Sequence, residues 1–110
     1  REFLFSEDFA KICLKILSLS KIRWRKNLNS NVSHINIGTG EEVSIKKLSQ
    51  IINKVVGYNG QIVFSDNGLN GTPRKLLDIS LMKKIGLKHS TNLKDGIIKS
   101  YRDFLNNYEK

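Results

Sequence analysis

The stretch NGTPRKLLD, Asn70 to Asp78, carries the one proline of the chain, Pro73, followed at once by the adjacent cations Arg74 and Lys75. Proline holds its own φ near about −65° and turns the preceding residue, here Thr72, away from helical geometry. The loop therefore follows a fixed path where it presents two positive side chains. A guanidinium and an ammonium delivered this way suit a phosphate or diphosphate, the first through paired hydrogen bonds and the second as a point charge. The same pair also suits the flank of an edge strand, where lysine discourages edge-to-edge pairing, and charge and spacing leave both readings open. A second basic loop position is Arg1, adjoining the Glu2-Phe3 that leads into the first helix.

Other reactive residue types are sparse. His34 and His89 are the two histidines and Cys13 the one cysteine, with no partner at metal-ligand spacing, which argues against a zinc site. Cys13 sits on an apolar helical stripe and reads as a buried structural thiol. GTGEEV, Gly38 to Val43, begins like a dinucleotide-binding turn but has Val43 where the third glycine belongs, so a tight turn before a helix is the better reading. None of Tyr58, Tyr101 and Tyr108 has a lysine four residues later, which removes the proton-transfer pair of that spacing. No catalytic residue is assigned within the chain.

The elements that must position Arg1, Arg74 and Lys75 follow from apolar spacing. Phe9, Ile12, Cys13, Ile16 and Leu17 predict a helix over Ser6 to Leu19 with Ser6 as its N-cap. SKIRWRKNLNSNVS, Ser20 to Ser33, reads as an exposed basic loop before a short strand HINIG. Ser44, the apolar run from Ile45 to Val56 and Gly57 predict a capped helix. QIVFS is predicted as a strand, and RKLLDIS as another that ends at Asp78 or Ser80, either of which caps the small helix LMKKIGL. Asn92 and Asp95 form a capping-box variant ahead of a long amphipathic helix bearing Leu93, Ile97, Tyr101, Phe104 and Tyr108. The expected fold class is α+β, about four helices with two or three short strands too few to make a self-sufficient sheet.

With 110 residues and 39% hydrophobic content, the chain fits one domain with one compact core and no disulfide staples. It opens on Arg1 and its only methionine is Met82, so it reads as a piece of a longer protein. Nineteen Lys and Arg against ten Asp and Glu give +9, which admits an acidic partner. Most lysines, however, fall in the gaps of amphipathic helices, where a solvated face is the plain alternative. The runner-up function is a small nucleic-acid-binding module, suggested by KIRWRK with Trp24 between Arg23 and Arg25. No helix-turn-helix, zinc-finger or RNP signature accompanies it, and Trp24 serves equally as a packing anchor. Apolar runs of two or three residues exclude a bilayer-spanning helix, and the lone cysteine accords with a reducing cytoplasm.

REFLFSEDFAK, HINIGTGEEVSIKKLSQIINKVVGYNGQIVF and NGTPRKLLDISLMKKIGL together resemble the C-terminal part of the GDP-L-fucose synthase family, within the extended short-chain dehydrogenase/reductase superfamily. The first motif and the NIGTG turn mark the superfamily; VVGYNGQIVF followed by GTPRKLLD is more particular to the fucose synthases. The resemblance implies the C-terminal substrate-binding lobe of an NADPH-dependent epimerase/reductase acting on GDP-4-keto-6-deoxy-D-mannose. It implies that NADP(H) is bound mainly by an N-terminal Rossmann domain outside this chain, that the catalytic residues lie there too, and that the parent enzyme is a homodimer. Among residues present, it assigns substrate contacts to Arg1, Asn70 and Lys75, with Arg1 and Lys75 at the nucleotide diphosphate. Asn70 falls where the family often has an aspartate, so it keeps an acceptor and loses the charge. Arg74 shares the motif as a possible further contact.

Overall fold

Ser44 accepts a hydrogen bond from the Lys47 N–H at 3.1 Å, and Gly57 turns left-handed at φ 74°, so that helix α3 (Ile45–Val56) starts and stops where its capping residues require. The computed structural model describes residues 1–28, 34–65 and 71–108. Within them the helices are α1 (Ser6–Leu17), α2 (Lys21–Asn27), α3, α4 (Ser80–Lys84) and α5 (Leu93–Tyr108). The N-cap of α1 is Phe5, with no side-chain cap, and Ser6 is the first helical residue rather than the cap. Asn92 caps α5 by accepting from the Asp95 N–H at 2.9 Å, while its amide donates to the Asp95 carboxylate at 2.7 Å.

Two expectations are corrected. The basic run after Ser20 is not a loop at its start: Ser20 Oγ accepts from the Arg23 N–H at 3.2 Å and α2 follows. The α+β class is also wrong, because five helices form and no strand forms among the described residues. HINIG, QIVFS and RKLLDIS have the residue types of strands, but a strand exists only as a ladder of main-chain hydrogen bonds to a neighbour. Among the described residues no such ladder forms. Side chains tie two of the segments instead: the Asn36 amide donates to the Asp78 carbonyl at 3.1 Å, and the Glu2 carboxylate accepts from the N–H of Leu77 at 2.9 Å.

The buried apolar cluster is small. Ile12 from α1, Ile79, Met82, Ile85 and Leu87 from around α4 form it, with Ile16, Leu19, Ile35 and Ile37 packed against it. Elsewhere α3 packs on α5, and Phe5 lies against α5 beneath Gly96, with the Lys99 ammonium 5.2 Å from its ring centre. Asp8, buried in the first turn of α1, joins the two regions by accepting from Ser90 and Thr91 just before α5.

The chain is thin and long, 54 × 35 × 18 Å, with a radius of gyration of 17.7 Å where a compact domain of this length has about 13 Å. The expectation of one compact core is corrected accordingly. A helix with its side chains is about 10–12 Å across, so a slab this thin leaves many helical faces uncovered. Leu17 is 81% exposed and Ile22 79%. The lysines at 11, 15, 46, 47, 54, 83, 84, 94 and 99 are exposed along four helices, as solvated faces are. Among the described residues no helix is long and apolar enough to cross a membrane, and no group of His, Cys, Asp and Glu is arranged to hold a metal ion.

Gly40 is the tightest backbone position of the turn that precedes α3. Its φ is +72°, and a Cβ there would lie 2.7 Å from the Cδ1 of buried Ile79. Gly40→Ala is expected to cost about 2 kcal/mol, from the left-handed conformation and the displaced isoleucine together. Chemical denaturation of the two proteins side by side measures it; equal midpoints would contradict it.

Candidate functional site

Arg1 and Lys75 line one small cleft of about 180 Å³ with Glu2, Leu4, Ile37, Gly38 and Leu77. The chain reaches this arrangement by pinning the segment at its start against the turn before α3. Arg1 and Val43 exchange main-chain hydrogen bonds, each 2.8 Å, and Glu2 turns its carboxylate into the Thr39-Gly40 turn. The Arg1 guanidinium reaches toward the proline loop, its Nη2 lying 3.2 Å from where a Cβ on Gly71 would sit. A neighbouring hollow of about 460 Å³ is lined by Arg1, Ser44, Ile45 and the Gly71-Thr72-Pro73 stretch. Arg1 thus stands between two adjoining recesses, half-buried, while Lys75 is exposed at the edge of one of them.

The two cations are available. Among the described residues neither Arg1 nor Lys75 has an ion-pair partner through its side chain, whereas Arg74 does: its Nε donates to Glu42 at 2.8 Å. The Glu42 carboxylate, by that hydrogen bond and by its charge, raises the Arg74 pKa above its ordinary value. Of the sequence-predicted residues, then, Arg1 and Lys75 are brought together and Arg74 is engaged by an acid on the far side of the turn. Asn70 lies outside the described residues.

Among the described residues the cleft has the chemistry of an anion site. Two cations with a stiffened loop and a polar turn can bind and orient a phosphate-bearing ligand. The Gly38–Gly40 turn is not a dinucleotide cradle, because the N–H groups of Thr39 and Gly40 donate to the Glu2 carboxylate and are unavailable to a pyrophosphate. Trp24, weighed as a base-stacking residue, is half-buried in α2, between exposed Arg23 and Arg25. A larger apolar groove of about 550 Å³ runs between α3, α5 and residues 3–6, lined by Leu48, Ile52, Val56, Ile97 and Tyr101 among others.

Sequence reasoning missed Glu2 as part of this site. Its hydrogen-bond donors lie 37, 38 and 75 residues away, and the only local signal is its place between Arg1 and Phe3.

No protein-family model matches the chain. GDP-L-fucose synthase of Escherichia coli is 40% identical over 110 residues, which is 100% of this chain and 34% of that protein. Among solved structures, a GDP-6-OMe-4-keto-L-xylo-heptose reductase from Campylobacter jejuni superposes with a TM-score of 0.84 at 33% identity, over 96% of this chain and 31% of its own. A GDP-D-glycero-L-gluco-heptose synthase from the same organism, solved in the presence of NADPH, gives 0.78 at 36% identity over 93% and 29%. The chain spans about a third of the length of the curated relatives it matches.

Over 93–96% of its length this helical chain is similar to GDP-sugar enzymes of the extended short-chain dehydrogenase/reductase type. Within that class it resembles, along its whole length, the C-terminal part of the GDP-L-fucose synthases.

Proposed function

We propose that this chain is the substrate-binding lobe of an NADPH-dependent epimerase/reductase that converts GDP-4-keto-6-deoxy-D-mannose to GDP-L-fucose. Its partner in that work is a dinucleotide-binding Rossmann domain, which holds NADP(H) and the catalytic residues. The observation that carries the reading is the convergence of Arg1 and Lys75 on one cleft, in a chain similar from end to end to GDP-L-fucose synthases. Arg1 grips the diphosphate through its guanidinium fork and Lys75 adds a point charge beside it. Asn70 is the further substrate contact by its place in the motif, and Arg74 steadies the loop through Glu42.

The thinness of the lobe supports the same reading. Faces as exposed as those bearing Leu14, Leu17 and Ile22 are what a second domain would cover. The complete enzyme is taken to be a cytoplasmic homodimer, joined through the Rossmann domain and not through this lobe. The nucleic-acid alternative gains nothing from the half-buried Trp24 or from the dispersed lysines.

The 110 residues alone are expected to oxidise no NADPH when given the keto-sugar, since the described residues offer neither a dinucleotide cradle nor a proton-transfer pair. Absorbance at the nicotinamide band, followed against a substrate-free blank, tests this. Turnover above the blank would overturn the division of labour between lobe and domain.

A further inference from the structure

We propose that Glu2 is a positioning residue for the substrate cleft, holding the Arg1 main chain and the Lys75 segment in fixed relation through its two carboxylate oxygens. The inference rests on the GDP-sugar reading above. Oε1 accepts from the Thr39 N–H at 2.5 Å, the Gly40 N–H at 2.7 Å and the Thr39 hydroxyl at 3.2 Å. Oε2 accepts from the Leu77 N–H at 2.9 Å. Glu2 follows Arg1 directly and Leu77 lies two residues beyond Lys75, so one carboxylate joins the carriers of both cations to the turn before α3. All four residues line the same cleft.

The same bonds set which way the carboxylate faces. The charge stays on the cleft wall, but both oxygens are turned onto main-chain donors and form no ion pair with Arg1 or Lys75 among the described residues. Burial works against the charged form, but the donors at Leu77, Gly40 and Thr39 outweigh it and hold the Glu2 carboxyl below the usual carboxylate range. Glu2 is therefore an ionised acceptor throughout the neutral range, and Arg1 and Lys75 remain without an acid partner among the described residues. Gly38 permits this packing, because any side chain there would collide with the Glu2 carboxylate.

The test is GDP affinity of the complete enzyme, measured by calorimetry for wild type, Glu2→Gln, Lys75→Ala and the double variant, with NADPH affinity as a control. Glutamine sets an N–H₂ group against either the Leu77 N–H or the turn, so one arm of the clamp opens. GDP binding is expected to weaken about tenfold in Glu2→Gln and about tenfold in Lys75→Ala. In the double variant the loss should fall well short of the product of the two, because Glu2 acts in part through the lysine's placement. NADPH affinity should hold. Losses that multiply to about a hundredfold, or unchanged GDP binding in Glu2→Gln beside a weakened Lys75→Ala, would overturn the role of Glu2 alone. A wild type that does not bind GDP would overturn the functional reading and this inference with it. Should Glu2→Gln fail to fold, Glu2→Asp carries the test: it keeps the charge and shortens the arm, so severalfold weaker GDP binding is expected and wild-type affinity would overturn the proposal.

Discussion

Removing both cations of the cleft, as Arg1→Ala with Lys75→Ala in the complete enzyme, is expected to raise KM for the GDP-sugar by about a hundredfold or more while lowering kcat far less. Each hydrogen bond to a charged group is worth about 1.5–3 kcal/mol, or roughly a tenfold to hundredfold change in affinity. The two line one cleft, and on the proposed reading they share one diphosphate, so their losses should accumulate even if they do not fully add. Neither touches the reacting carbon in this account, which is why binding suffers and the chemical step does not. Arg74→Ala is the internal comparison. Its guanidinium is paired with Glu42 at the surface and is not placed at the diphosphate, so its loss should change KM by less than about threefold. A large fall in kcat with unchanged KM in the double variant would contradict the assignment.

The second large effect is on stability. Asp8 is 3% exposed, and its carboxylate accepts from the Ser90 N–H at 2.9 Å, the Ser90 hydroxyl at 2.7 Å and the Thr91 N–H at 2.6 Å. These bonds tie the first turn of α1 to the approach to α5 across more than eighty residues of sequence. Asp8→Ala removes all of them and leaves two main-chain donors without their acceptor, an expected loss of about 3 kcal/mol. Asp8→Asn keeps one acceptor oxygen and should recover part of it. Burial raises the carboxyl's pKa, but the donors from Ser90 and Thr91 prevail and hold it well below its ordinary 3.8. A depressed native pKa means that the stabilisation is fully present above the ordinary value and drains away as pH falls through the lower native one. The wild type should therefore lose stability below about pH 4 more steeply than Asp8→Asn does. Parallel acid-unfolding curves for the two proteins would contradict this.

The helices that carry an apolar stripe between clear caps were legible in the sequence. Ser44 and Gly57 bracket α3, and Asn92 with Asp95 opens α5, because local side-chain geometry decides those boundaries. Helix α2 was not legible: seven residues, four of them Lys or Arg, contain no apolar stripe, and the single signal is the cap at Ser20. The three strand-like segments misled for a different reason. Residue type makes a run fit for a sheet, but pairing depends on what lies beside it, and no described neighbour offers a ladder. The site divides in the same way. Pro73, Arg74 and Lys75 stand out locally, whereas the meeting of Arg1 with Lys75 and the clamp at Glu2 depend on contacts spanning most of the chain. Arg74 shows the limit of motif reading, since adjacency to Lys75 says nothing about Glu42 on the other side of the turn.

On the proposed function this lobe receives a GDP-keto-sugar for an NADPH-dependent partner domain. The most direct test is NADPH oxidation by the complete enzyme on addition of GDP-4-keto-6-deoxy-D-mannose, with the product identified by chromatography. One NADPH should be consumed for each GDP-L-fucose formed. No oxidation above the substrate-free rate, from enzyme that binds NADPH, would contradict it.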